Sequence, residues 1–347
     1  MKKVLIIGQT LELGSTEEVY GRGFSALGCE VQHFTWKESK PSLFPGSLLD
    51  RVAWRAAWKP LAKLANQKLV ETANQFQPDL TLVISPLLLY PDSILAMKQH
   101  GLAFVFFTDN PLDAHHTHTN SWVQRGFPLW DAAFIWSQEL VDRLLDNGVK
   151  KAFFHPFCSD LEYHFPKRQT NPVCDVAFIG NWDASRKREQ YLKAISNYRL
   201  GLWGSSYWNT HCQEPTLKNL CQGMCSYQEI PEILGSAKMG LNILRPQNEK
   251  GHNIRTYEIP ATGTLMLSER NNGLLSLFAE DKEAVYFSTP DELSQKVGYL
   301  LQNPALIGSI AEAGYKKALE NTIADRVGEI SNLYRGLKRS QSSNSPA

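Results

Sequence analysis

The 347-residue chain carries almost no excess charge. Its 36 Lys and Arg stand against 35 Asp and Glu, so no global basic field draws it onto nucleic acid, and any anionic partner must be held locally. The six cysteines, Cys29, Cys158, Cys174, Cys212, Cys221 and Cys225, form no Cys-x-x-Cys pair and have no matching histidine spacing. That argues against a structural zinc and a disulfide framework, and for a reducing cytoplasmic home. No apolar run approaches the ~18 residues of a membrane span, and the opening MKKVLIIG is too short in apolar residues for an export signal. The loop GQTLELGS after the first strand lacks the G-x-G-x-x-G spacing that lets backbone approach a dinucleotide pyrophosphate, so NAD is not expected. No Asp-x-Asp pair suggests a metal site. No cofactor is expected.

What is present is a soluble, globular composition, 43% apolar and 11% aromatic, long enough for two cores. Val4 to Ile7 reads as a buried parallel strand. Ser15 and Glu18 form a capping-box pattern for a helix to Leu27, and Cys29 to Phe34 gives a second strand. Leu43 to Phe76 is mostly helical. Its Trp54, Arg55, Trp58, Lys59 and Lys63 could rest on a membrane surface as a peripheral contact, or pack into the core. Strand and helix then alternate through Leu80–Ile84, Asp92–His100, Ala103–Phe107, Ala132–Trp136 and Gln138–Asn147. The polar, Pro-rich stretch after Ala152 reads as a crossing between domains.

A second alternation follows: Val176–Ile179, a helix Ser185–Ile195, Leu200–Trp203, a helix Gln228–Lys238, Gly240–Leu244, then Ala284–Phe287 and helices to Leu337. The expected organisation is an α/β domain over 1–158, a crossing over 159–172, a second α/β domain over 173–337 and a disordered tail over 338–347. Both would be doubly wound parallel sheets, with a ligand cleft between them beyond the strands' carboxyl ends. Gly180, Asn181, Gly204 and Arg245 fall at such ends.

The stretch Asn242 to Ser276 is the most informative. Asn253 can cap a short helix that ends near Gly263, with Pro260 forbidding a long regular one. Ile254, Tyr257 and Ala261 would face a sheet, while Arg255, Glu258 and Thr262 lie about 100° around the helix. Lys250, His252 and Arg255 crowd an already positive helix end, which an anion such as a phosphate would resolve. Glu258 lies roughly 4.5 Å further along the axis, placed to accept from vicinal hydroxyls. A nucleotide with its ribose fits that description. The plainer reading is an i,i+3 ion pair between Arg255 and Glu258.

Asn253, Arg255, Glu258, Ala261 and Gly263 spell N-x-R-x-x-E-x-x-A-x-G, a pattern that resembles glycosyltransferases of the GT-B fold, two Rossmann-like domains facing across a cleft. The following segment, from LLSLFAEDKEAVYF to AEAGYKKAL, resembles the carboxyl-terminal domain of the spore maturation protein B-like (CgeB-type) family. The resemblance implies a nucleotide-sugar donor, used as a substrate and not as a cofactor, and a glycan or other hydroxyl acceptor. It implies that Glu258 binds the ribose and that Arg255, with Arg245, Arg186 and Lys187, neutralises the diphosphate. It also implies that bound metal is not required. Glu292 matches a family position, but it also suits a helix start. The E-x7-E spacing of many retaining members is absent, because Lys250 stands eight residues before Glu258.

Acceptor activation needs a base. Asp109, after the Ala103–Phe107 strand, is one candidate, although it could merely shape the Asn110-Pro111 turn. His115 and His116 are reserve bases; with His118 they do not have helical metal-ligand spacing. Ser137 is a further strand-end residue. The expected activity is glycosyl transfer to a polysaccharide or other acceptor. The alternatives are a catalytically silent GT-B binding subunit and a GT-B nucleotide-sugar epimerase.

Overall fold

The computed structural model describes residues 1–36, 48–113, 119–167, 169 and 171–343, and the side chains of these except 48–61, 342 and 343. The chain divides into two compact units, Met1–His155 with the segment from Ile323, and Pro156–Thr322.

In the first unit β1 (Lys3–Gly8), α1 (Thr16–Ala26), β2 (Glu30–Thr35), α2 (Leu48–Phe76), β3 (Leu80–Ile84), α3 (Pro91–Met97), β4 (Leu102–Phe107), α4 (Ser121–Gly126), β5 (Ala132–Ile135), α5 (Gln138–Asp146) and β6 (Ala152–Phe154) follow one another. The strands pair parallel in the order β2-β1-β3-β4-β5-β6. Val4–Ile7 and Leu80–Ile84 are buried throughout, as continuous apolar strands covered on both faces should be. The predicted cap of α1 is present on one side only. Ser15 Oγ accepts the Glu18 N–H at 3.3 Å, while the Glu18 carboxylate takes the Gly14 N–H at 3.1 Å instead of the amide of Ser15.

In the second unit come β7 (Cys174–Ile179), α6 (Lys187–Ala194), β8 (Leu200–Trp203), α7 (Tyr207–Thr210), α8 (Pro215–Leu220), α9 (Ile230–Gly235), β9 (Ala237–Asn242), α10 (Arg255–Ala261), β10 (Leu265–Glu269), α11 (Asn272–Leu275), β11 (Val285–Phe287), α12 (Pro290–Gln302) and α13 (Pro304–Leu319). These strands are also parallel, in the order β11-β10-β9-β7-β8. Val176 and Phe178 enter the core on one face of the sheet, Ala177 and Ile179 the core on the other, the two-residue period of a strand packed from both sides.

Several expectations are corrected. The stretch 159–172 belongs to the second unit: Ser159 donates its N–H to Asn321 O and its hydroxyl to Ala318 O, and Gln169 N–H reaches Gly235 O. The carboxyl-terminal helix α14 (Ile323–Ser343) belongs to the first unit and continues well past Lys338, where a disordered tail was expected. Its register explains this. Val327, Ile330 and Tyr334 fall on one buried stripe, and Gly23 of α1 leaves room for Ile323 and Val327, whose atoms lie 2.9 Å from where a Cβ would stand. β9 begins at Ala237 and not at Gly240, because the turn of α9 ends at Ser236 and Ala237 and Met239 are already drawn into the sheet. α6 starts at Lys187 and not at Ser185, since Arg186 sits in the left-handed region with φ 58°.

Candidate functional site

In the second sheet β8 lies on one side of β7 and β9 on the other, so the strand order reverses between β7 and β9. At such a switch point the connections leave in opposite directions and a crevice opens beyond the carboxyl ends. Here the chain leaves β7 through Ile179-Gly180-Asn181 and β9 through Ile243-Leu244-Arg245.

Three arginines gather there. Arg188, only 7% exposed, donates Nε and Nη2 to Ile243 O at 3.3 and 2.9 Å and Nη1 to Asn181 O at 2.6 Å, tying the two strand ends together. Arg255, on the first turn of α10, donates Nε to Ile179 O at 3.2 Å. Burial, and then the neighbouring charge of Arg245, lowers the pKa of Arg188 to about 10; Arg255 adds to the effect, and Asp183 and Glu269 oppose it. Burial likewise lowers Arg255 to about 10. Burial disfavours the charge of both arginines, which Asp183 beside Arg188 and Glu258 beside Arg255 offset in part.

The expected glycines serve this geometry. A Cβ on Gly204 would meet the Trp208 indole at 2.7 Å and the carbonyl of Gly180. Trp208 Nε1 in turn donates to Gly180 O at 2.8 Å, and a Cβ on Gly180 would strike the Phe178 ring at 2.6 Å. Asn181 Oδ1 accepts the Ser205 N–H at 3.0 Å, joining the loops after β7 and β8.

The helix expected at Asn253 is present and short. Asn253 Oδ1 accepts the Thr256 N–H at 3.3 Å, and its Nδ2 donates to Asn242 Oδ1 at 2.8 Å, so the cap is anchored to the end of β9. The two-faced reading of this helix is corrected: Thr256 through Ala261 are all buried, Glu258 at 2% exposure and Thr262 fully. Arg255 and Glu258 form the i,i+3 ion pair. His164 Nε2 lies 3.7 Å from the other carboxylate oxygen of Glu258.

Other expected cations have different work. His252 is buried and its Nε2 accepts the Phe157 N–H at 3.0 Å, so that ring nitrogen is committed to a backbone tether. Lys187 pairs with Glu269 at 2.8 Å and Glu249 at 3.2 Å, and Arg186 with Glu189 at 3.0 Å. Glu269, at the end of β10, also accepts the Leu244 N–H at 2.6 Å; burial raises its pKa, with Lys187 opposing. Glu292 takes the Ser288 N–H at 2.7 Å at the start of α12, a helix-capping role.

The first sheet has its own switch point between β1 and β3. A pocket of about 340 Å³ opens at those strand ends, lined by Gln9, Ser85, Pro86, Leu87, Phe107, Thr108 and Asp109. Ser85 is held at φ 58°, a strained value for a residue with a Cβ, and its hydroxyl lies 2.9 Å from that of Thr108. Asp109 is among the residues that line this pocket. His115, His116 and His118 lie outside the described residues, as do the side chains of Trp54, Arg55, Trp58 and Lys59. Ser137 is buried ahead of α5, away from solvent. Among the described residues, no helix is long and apolar enough to cross a membrane.

Arg188 and His164 were not found by sequence reasoning. In the run SRKRE, all five residues bear charge or cap-like side chains, and only the exact start of the helix decides which one turns inward. His164 lies in a polar stretch without periodicity and carried no signal.

Residues 186–332 match the model of a family described as glycosyl transferase-like, rather less than half of the chain. No curated protein matches the sequence. Among solved structures, the chain is similar to sucrose-phosphate synthase from Thermosynechococcus elongatus, with 12% identity, a TM-score of 0.72 and coverage of 98% of this chain and 100% of that one. It is similar to Anabaena Alr3699/HepE in complex with UDP-glucose, with 12% identity, a TM-score of 0.69 and coverage of 97% and 100%. A glycosyltransferase from Rickettsia africae ESF-5 gives 13% identity, a TM-score of 0.69 and 99% coverage of each chain. Identity this low establishes shared architecture, and that architecture, two parallel-sheet α/β units, is the GT-B fold of glycosyltransferases.

Proposed function

We propose that the protein is a glycosyltransferase that moves a sugar from a nucleotide-activated donor to a hydroxyl acceptor. The observation that carries the proposal is the convergence of Arg188, Arg245 and Arg255 on the β7–β9 switch point, with Glu258 one helical turn beyond Arg255. A diphosphate would add negative charge opposite these arginines beyond what Asp183 gives Arg188 and Glu258 gives Arg255, and the ribose hydroxyls would give Glu258 donors. A UDP-sugar is the first donor to test, since HepE has been crystallised with UDP-glucose and with UDP. The resemblance of the carboxyl-terminal segment to the spore maturation protein B-like family is part of the same reading.

In this mechanism the arginines stabilise the negative charge that develops on the diphosphate as the glycosidic bond breaks. Asp109, in the pocket of the first unit, is the candidate to orient or deprotonate the acceptor hydroxyl, and the apolar walls of Pro86, Leu87 and Phe107 suit the faces of a sugar ring.

The test is calorimetric titration with UDP, GDP, CDP, ADP and dTDP, repeated on Glu258→Gln. One diphosphate should bind, and the variant should bind it at least about tenfold more weakly, or 1.4 kcal/mol. Binding of none of the five would refute the proposal.

A further inference from the structure

Ser85 holds a backbone conformation that a residue with a Cβ avoids, and the chain around it is built to keep it there. It follows β3 directly, and its N–H reaches Phe106 O at 3.4 Å, so the sheet sets its place beside β4. Its φ of 58° then turns the chain into Pro86 and Leu87, which line the pocket of the first unit. Two asparagines hold that turn. Asn66 of α2 is buried and makes four hydrogen bonds: Nδ2 donates to Ala62 O at 2.7 Å and Leu88 O at 2.9 Å, while Oδ1 accepts the Tyr90 N–H at 2.9 Å and the Ser93 hydroxyl at 2.8 Å. Asn120, the cap of α4, donates to Leu87 O at 2.7 Å. A glycine at position 85 would follow the same turn without strain.

What serine adds is its hydroxyl. Ser85 Oγ lies 2.9 Å from Thr108 Oγ1, and both residues line the pocket, as does Asp109, the next residue after Thr108. One of these hydroxyls donates to the other, so the pair keeps one O–H donor and spare lone pairs for a ligand. Pro86, Leu87 and Phe107 give the same pocket apolar surface. A sugar ring matches both, with hydroxyls at its rim and C–H groups on its faces. We infer that Ser85 is an acceptor-binding residue: its hydroxyl, coupled to that of Thr108, receives a hydroxyl of the acceptor's sugar ring beside Asp109, and the left-handed backbone is retained to present it there. This rests on the transferase reading above.

Two variants separate the hydroxyl from the strain. Ser85→Ala loses the hydroxyl and keeps a Cβ in the left-handed region; Ser85→Gly loses both. Relief of that strain outweighs the greater freedom of glycine in the unfolded chain, so the β3 and β4 amides of Ser85→Gly should exchange with deuterium about two- to fivefold more slowly than those of Ser85→Ala. The binding probes are the methyl glycosides of glucose, galactose and N-acetylglucosamine, titrated by NMR. At least one should bind wild type, and both variants should bind it about three- to tenfold more weakly, the loss of one hydrogen bond. A residue kept for the fold alone would not give a glycine variant that is steadier than the alanine variant and yet equally poor at binding sugar. Variants that bind the glycoside as wild type does overturn the inference; so do exchange in Ser85→Gly no slower than in Ser85→Ala, and failure of all three glycosides to bind wild type. The donor reading is judged separately, by calorimetry with UDP-, GDP-, dTDP- and ADP-glucose. One of them should bind wild type and both variants within about twofold, and binding of none sinks the donor reading without touching the result for the sugar pocket.

Discussion

Replacing Arg188 by methionine separates a cation kept for a ligand from one kept for the fold. Its pKa is lowered from 12.5 to about 10, chiefly by burial and then by Arg245, so its charge is held at a cost of about 3 kcal/mol. Against this, the guanidinium satisfies Ile243 O and Asn181 O, and each carbonyl left without a donor costs about 1–3 kcal/mol. The two effects nearly offset. Arg188→Met should therefore stay within about 2 kcal/mol of wild-type stability, a shift of no more than roughly 8 °C in melting temperature. Donor binding has no such offset. Losing one charge-assisted contact to a diphosphate removes about 1.5–3 kcal/mol, so the variant should bind UDP-glucose about ten- to a hundredfold more weakly. Thermal melts and calorimetry on the same sample read both quantities. A variant that unfolds some 4 kcal/mol more easily while its folded fraction binds as well as wild type would show that Arg188 is a strut between strand ends and no part of an anion site.

Asp175 offers a pH test of the same unit: burial raises its pKa, but Arg199 and Lys238 overcome that and hold it at about 2 against an ordinary 3.8. The stabilisation is complete above about pH 4 and lost as pH falls towards 2. Because Arg199 is half-exposed, it should amount to about 1–2 kcal/mol, so Asp175→Asn should melt lower at neutral pH and converge with wild type in acid. Gly204→Ala should cost about 1–3 kcal/mol by driving a methyl into Trp208 and the Gly180 carbonyl, and should weaken donor binding as that loop shifts; an unchanged melting temperature would contradict the packing argument. Asp109→Asn should lower kcat for transfer at least about a hundredfold while leaving UDP-glucose affinity within about twofold, since the base acts on the acceptor; equal loss of binding would place it on the donor side.

The sheets were legible because they depend on local pattern. Runs such as Val4–Ile7 have one stable destination, and the alternation of Val176 and Phe178 with Ala177 and Ile179 fits a sheet covered on both faces. Asn253 could be read as a cap because its side chain acts within three residues, on the Thr256 amide. What could not be read depends on distant partners. The helix from Ile323 joins the first unit because Gly23, some three hundred positions earlier, has no side chain, and no pattern within the helix states that. The same holds for His252, whose place beside two basic residues suggested a phosphate, although its ring nitrogen is taken by the amide of Phe157. Neighbours in sequence suggested the charge; the fold decided which charges were left for a ligand.

That selection divides the chemistry between the two sheets. Both open at the point where strand order reverses, but the ends are lined for opposite tasks. Beyond β7 and β9 stand Arg188, Arg245 and Arg255, with Lys187, Arg186 and Arg255 paired to carboxylates, so on the proposed reading a departing diphosphate would meet positive charge. Beyond β1, β3 and β4 stand Asp109 and the hydroxyls of Ser85 and Thr108. A second carboxylate, Glu17, lies below that loop and accepts the Gln9 N–H at 2.6 Å, in space that only a glycine at position 8 leaves open; burial raises its pKa. An arginine cluster there would favour an attacking hydroxyl's alkoxide but has no lone pair to accept its proton, whereas a carboxylate accepts it. Carboxylates beyond β7 and β9 without the arginines would repel the donor. The proposed glycosyl transfer needs one group of residues to take up negative charge and another to take up a proton, and the lining of each sheet suits one of those needs.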